Sequence, residues 1–168
     1  MILEVDRKYL EISDLNNLNA QNKPNKDCNV SKIEPPNFQL NKFLYKQIGK
    51  KYSWRDRLIW EDKDWIKYTN NLRVNTFLLR EKDEIVGYFE QILDSQQEEC
   101  EIAYFGILEN YFGKKYGSYL LSEAIKISLK LNKRVWVHTC SLDHKHALNN
   151  YLSRGMKIFK SEKIKIKN

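Results

Sequence analysis

Residues 112–118 read Phe112-Gly113-Lys114-Lys115-Tyr116-Gly117-Ser118, a glycine-punctuated turn between a β-rich run and an amphipathic stretch. A helix start leaves its first backbone N–H groups without intrahelical partners and carries the positive end of the helix dipole. Set after a strand, such a turn can direct those groups at an anionic phosphate. Gly113, Lys114, Lys115, Tyr116 and Gly117 would supply N–H groups, and Ser118 a hydroxyl as well. The two lysines would attract a polyanion from a distance. Neither G-x-G-x-x-G nor G-x-x-x-x-G-K-[ST] occurs, so the dinucleotide and P-loop fingerprints are absent. An ordinary helix start would carry similar residues, so the turn alone does not decide.

A second group, His138, Cys140, Asp143, His144 and His146, raises the question of a metal, because alternation puts His138 and Cys140 on one strand face. Zinc would need convergence with a third and a fourth ligand. The competing reading is a solvent-facing helix start with Asp143 as its N-cap. That reading is preferred, and no metal is expected. Cys28, Cys100 and Cys140 are widely spaced and include no C-x-x-C pair, so reduced thiols are expected.

The elements that must position these groups follow from pattern. At 168 residues and 42% hydrophobic content the chain can bury one ordinary core, and a single domain over residues 1–168 is expected. A net charge of +7 favours an anionic partner, whether nucleic acid, acidic protein or polyphosphate, without choosing among them. No apolar run approaches the roughly 18 to 20 residues that span a bilayer. The start Met1-Ile2-Leu3-Glu4 lacks the flank of a signal peptide, so a cytoplasmic protein without a membrane partner is expected.

Leu3 with Val5, then Leu10 with Ile12, suits an edge strand over residues 1–13. A surface connection and a short strand at 30–34 follow. Leu40, Phe43, Leu44 and Ile48 predict one face of a helix over 39–48, stopped at Gly49. A second helix over about 62–70 turns Trp65 and Ile66 inward. Residues 74–80 and 85–93 read as a hairpin, and 99–108 as a third strand. Leu120, Leu121, Ala124, Ile125 and Leu131 stripe the next helix. A strand over 133–140, a helix from Asp143 to Gly155 and a β run over 156–166 complete the order. The fold class is α/β, with a mixed, mostly antiparallel sheet flanked by helices.

On these residues the chain resembles the GNAT superfamily of acetyl-CoA-dependent N-acetyltransferases over about its last hundred positions. The run from Glu101 to Glu109 is similar to the family's fourth strand entering its cofactor loop, and Phe112 to Gly117 to the loop motif R/Q-x-x-G-x-G/A. Phe112 stands where the family usually has Arg or Gln, and Lys115 where it usually has Gly. Ala147, Tyr151, Gly155 and Met156 keep the spacing of A-x-x-x-Y-x-x-x-G-F, and His144 takes the place of a frequent Asn that helps hold the cofactor.

The resemblance implies that strands near 99–108 and 134–140 splay apart to admit the pantetheine arm of acetyl-CoA, which would pair with main-chain groups of Ile107 and Leu108. A main-chain N–H there would also serve the oxyanion. It makes Tyr151 the acid for the departing thiolate. Acetyl transfer also needs a neutral amine, and Glu101 is the first choice of base, although alternation leaves open whether its strand face points inward. The family's acceptor roof points to Tyr52, Trp54, Arg55 and Asp56, and Glu90, Tyr104 and His138 join them as acceptor-side candidates. Expected partners are acetyl-CoA and a small-molecule or peptide amine. Nucleic acid is not the expected partner, and a homodimer is compatible with the sequence without being specified by it. The alternative is a non-catalytic acyl-CoA-binding or basic nucleic-acid or protein-interaction module on the same fold, which the Lys-rich tail would suit.

Overall fold

Backbone pairing gathers every β run into one sheet. The computed structural model describes residues 1–167; Asn168, the last residue of the expected domain, lies outside the described residues. In chain order come β1 (Ile2–Ile12), β2 (Cys28–Lys32), α1 (Phe38–Gly49), α2 (Asp62–Thr69), β3 (Val74–Glu81), β4 (Glu84–Asp94), β5 (Glu99–Ile107), α3 (Tyr116–Leu129), β6 (Arg134–Cys140), α4 (Ala147–Ser153) and β7 (Lys157–Lys167). The strand order is β2-β3-β4-β5-β6-β1-β7, antiparallel throughout except for the parallel pair β5–β6. This is the expected α/β class. Among the described residues no helix is long and apolar enough to cross a membrane.

Successive side chains of a strand point to opposite faces, which splits the core in two. Phe89 packs with Ile102, Val135, Val137 and the α3 residues Leu120, Leu121, Ala124 and Ile125. Its neighbour Tyr88 packs on the other face with Leu78 and the α1 residues Leu44 and Ile48. The sheet therefore lies between α1 and α2 on one side and α3 and α4 on the other.

The parallel pair is short. Glu99 pairs with Arg134, Cys100 with Val135 and Glu101 with Trp136, and there the ladder stops. The rest of β5 diverges from the rest of β6, so the expected splay is present. A second irregularity sits beside it. Glu90 pairs with Tyr104 but Gln91 pairs with Ile102, which leaves Ala103 as the extra residue of a bulge.

Several elements differ from expectation for identifiable reasons. β1 is an interior strand, because β7 pairs along its outer side from Ile2↔Lys167 to Glu11↔Lys157. On α1, Phe43 is half exposed and the buried positions are Asn41, Leu44, Tyr45, Ile48 and Gly49. Asn41 goes inward because its amide donates to Thr76 Oγ1 and Glu90 Oε2, both at 2.8 Å. Ile66 on α2 and Leu131 beyond α3 are exposed. α4 begins at Ala147, after His146 as its N-cap residue. Asp143 instead closes the preceding turn, accepting from the Cys140 N–H at 3.0 Å and from the Thr139 hydroxyl.

One buried ion pair ties α1, α2 and β4 together. Glu90 is 0% exposed and Arg57, from the α1–α2 connection, is 4% exposed; Arg57 Nη1 donates to Glu90 Oε1 at 2.9 Å. Tyr68 donates to the same oxygen at 2.7 Å. Burial works against the Arg57 charge, and Glu90 beside it outweighs burial, so its pKa is raised. Removing one partner leaves an uncompensated buried charge. Glu90→Ala is expected to lose about 3–5 kcal/mol of stability in denaturant titration, whereas replacing both Arg57 and Glu90 by Met should recover most of that loss.

Candidate active site

Where β5 and β6 part, a cavity of ≈ 880 Å³ opens between them. Its wall draws on both faces of the sheet. Glu101, Tyr104 and His138 come from the side of α1 and α2, together with Trp54, Asp56 and Arg57 from the connection between those helices. Tyr151 of α4 and Tyr116, Gly117 and Ser118 of α3 come from the opposite side. The gap in the sheet joins the two.

The turn before α3 reaches the helix through two residues of positive φ, Gly113 at 78° and Lys115 at 67°. Lys115 is the N-cap residue, in the left-handed conformation, and its carbonyl accepts the Tyr119 N–H at 3.1 Å. The N–H groups of Tyr116, Gly117 and Ser118 precede that first helical bond and are the donors a helix start leaves over. The side-chain amide of Asn150 on α4 donates to the Gly117 carbonyl at 3.2 Å and fixes the helix start beside the gap. These groups match what a pyrophosphate requires.

At the gap's edge, the Leu108 N–H donates to Val86 O at 2.8 Å, toward β4. Alternation then turns the main-chain groups of Ile107 and Phe105 the other way, toward the open side. Of the two expected main-chain positions, Ile107 lines the cavity and Leu108 does not. Lys114 lies off the wall and Lys115 on it. Phe112 and His144 both line it and touch each other, ring edge to face, at 5.0 Å; Tyr52 also meets His144 edge to face, at 5.7 Å.

Glu101 faces inward, which alternation had left open. The bulge at Ala103 puts Glu101 and Tyr104 on one sheet face although their numbers differ by three. Burial raises the Glu101 pKa, and the Arg57 charge partly offsets it. His138 Nε2 lies 4.0 Å from Glu101 Oε1, and burial, assisted by Arg7, lowers the His138 pKa. Burial thus acts on both neighbours against their charged forms. Across the gap, burial and then Asp143 hold the Tyr151 hydroxyl well above its ordinary pKa, so it keeps its proton.

The acceptor-side candidates divide. Tyr52, Trp54, Arg55, Tyr104 and His138 line the cavity. Glu90 does not, because it is enclosed beneath Arg57. Arg57 was not singled out in the sequence, yet it stacks on Tyr68 at 4.1 Å, Tyr104 at 4.3 Å and Trp60 at 4.8 Å, with Tyr45 and Trp65 each at 5.7 Å. The available signal was one arginine amid Trp54, Trp60, Trp65 and Tyr68, with a glutamate inside an apolar strand. Among the described residues no three His, Cys, Asp or Glu side chains converge as metal ligands would.

The site is therefore a fork beside a helix start, with a phenol on one side and a carboxylate beside an imidazole on the other. The chain belongs to the acetyltransferase (GNAT) family, whose model matches residues 37–156. No curated protein sequence matches it significantly. Among solved structures, it is similar to a GCN5-related N-acetyltransferase from Sphaerobacter thermophilus, with 16% identity, TM-score 0.70, and coverage of 98% of this chain and 52% of that one. A functionally unknown conserved protein from Staphylococcus epidermidis matches with 15% identity and TM-score 0.69, over 96% of this chain and 61% of that one. The chain thus spans only about half to three-fifths of those two proteins. An aminoglycoside acetyltransferase from an uncultured soil metagenomic sample matches with 15% identity and TM-score 0.65, over 79% of this chain and 90% of that one. At these identities the likeness is one of fold.

The left-handed Lys115 explains why glycine is usual at that place in the family motif, since a Cβ there costs about 1–2 kcal/mol. Lys115→Gly is expected to raise stability by about 1 kcal/mol, read as a melting-temperature increase of roughly 2–4 °C.

Proposed function

We propose that this chain is an N-acetyltransferase that carries an acetyl group from acetyl-CoA directly to an amine. The observation that carries the reading is the fork between β5 and β6, with the α3 start and Tyr151 on one side and Glu101 with His138 on the other. The N–H groups of Tyr116, Gly117 and Ser118, with Lys115, would hold the pyrophosphate. The exposed edge of β5 around Ile107 would pair with the pantetheine amides as an added strand does. Phe112 and His144, in contact with each other on the cavity wall, would pack against that arm.

Glu101 would take the proton of the acceptor amine. An alkyl ammonium has a pKa of about 10 by analogy with Lys, far above an ordinary carboxylate, and burial of Glu101 narrows the mismatch. His138, kept neutral, can share the proton or relay it through water. The main-chain N–H of Ile107 would face the developing oxyanion, and Tyr151 would protonate the departing thiolate. Acceptors would enter from the side of α1 and α2, against Tyr52, Trp54, Arg55 and Tyr104.

Release of free coenzyme A thiol in an acceptor screen tests this reading. Thermal stabilisation by acetyl-CoA without thiol release from any amine would favour a non-catalytic acyl-CoA-binding module instead. Tyr151→Phe is expected to lower kcat by about 10-fold or more with acetyl-CoA affinity nearly unchanged. Glu101→Gln should cost about 100-fold in kcat/KM. Because a base works only when deprotonated, the wild-type rate should fall as pH drops through the raised Glu101 pKa, and that limb should disappear in Glu101→Gln.

A further inference from the structure

The mechanism above leaves Asp56 without a task, and its setting is specific. Two hydrogen bonds it accepts end on one oxygen: Tyr45 Oη donates to Oδ1 at 2.8 Å and Tyr104 Oη at 2.6 Å. Both phenol rings are themselves held, because Arg57 stacks on each and is paired with Glu90. Asp56 is thus oriented from beneath while it stands exposed on the cavity wall. Trp54 lies beside it on that wall, its ring meeting Tyr104 edge to face at 4.7 Å. A fixed carboxylate flanked by aromatic faces suits a cation, through Coulomb attraction and ring quadrupoles together. The nearby Arg57 charge does not cancel it, because Glu90 already compensates that charge.

Glu101 and Asp56 are therefore two carboxylates on the α1 and α2 side of the cavity with different demands. The amine that arrives at Glu101 must lose its proton to react. A cation that rests on Asp56 keeps its charge and so belongs to a different nitrogen. We propose that the acceptor carries at least two amines, one reacting at Glu101 while a second, still protonated, is held by Asp56 beside Trp54 and Tyr104. This assignment rests on the acetyltransferase reading and deepens it.

The test compares putrescine with n-butylamine, which match in chain length and differ by one ammonium group. Wild-type protein should prefer putrescine by about 3- to 5-fold in kcat/KM, the scale of one partly exposed ion contact. Asp56→Asn keeps an oxygen for the two phenols, so its melting temperature should stay near wild type. It should lose the preference through a higher KM for putrescine, with the kinetics for n-butylamine and the affinity for acetyl-CoA unchanged. Equal kinetics for the two amines in wild type, or a preference that survives in Asp56→Asn, would overturn the proposal while leaving acetyl transfer intact. If no amine releases coenzyme A thiol, the acetyltransferase reading fails, and calorimetric binding of putrescine to wild type and Asp56→Asn still judges the site. Binding lost only in the variant supports the cation station, and binding that is absent or equal in both refutes it.

Discussion

Taking a carboxylate and a guanidinium out of water costs several kcal/mol for each ion, and Glu90 and Arg57 are both buried. Their tolerance of that position rests on saturation. Glu90 Oε1 accepts from Arg57 and Tyr68, and Oε2 from Asn41. The guanidinium faces lie against aromatic rings, where a cation keeps favourable contact without water. The α1–α2 connection is pinned to the sheet by this pair, and with it Trp54, Asp56 and the ring of Tyr104. The cavity wall on the α1 and α2 side inherits its geometry from a charge pair that meets the cavity through Arg57 and not through Glu90.

The slot has an equally local origin. Three parallel pairs join β5 to β6 before the strands part, and the bulge at Ala103 falls where they separate. A bulge raises local twist and shifts side-chain parity. Here it bends β5 away from its neighbour and brings Glu101 to the face that holds Tyr104. Shape and chemistry at the fork thus come from one inserted residue. Glycine contributes by close approach on the same face: a Cβ at Gly106 would lie 2.5 Å from Ile48 Cγ2, so α1 can sit directly on β5.

Much of this was legible in the residues. Alternation located the central strands to within a residue or two, and apolar spacing found α1, α2 and α3. The turn at residues 112–118 was recognisable because its requirements are local: a helix start and a glycine at Gly113, although the second positive φ falls on Lys115. What resisted was non-local. Nothing in the pattern of β1 tells that β7 will cover its outer side, since pairing is a property of two segments. Asn41 in place of Phe43 on the buried face of α1 follows from the needs of Glu90, fifty residues away in round terms. Glu90 looked like an acceptor-side carboxylate, yet Arg57, Tyr68 and Asn41 enclose it. The direction of Glu101 depended on a register shift that strict alternation does not contain.

A cavity walled from both faces of a sheet differs in kind from a pit in one face. In the proposed reading the thioester donor lies along the α3 and α4 side and the amine comes from the α1 and α2 side, so neither has to leave before the other enters. Both substrates can be present at once, and no acyl group need be parked on the protein in between. Initial-rate patterns of such an enzyme are those of a ternary complex, with intersecting reciprocal plots, and the topology of a single parallel strand pair would be their structural cause.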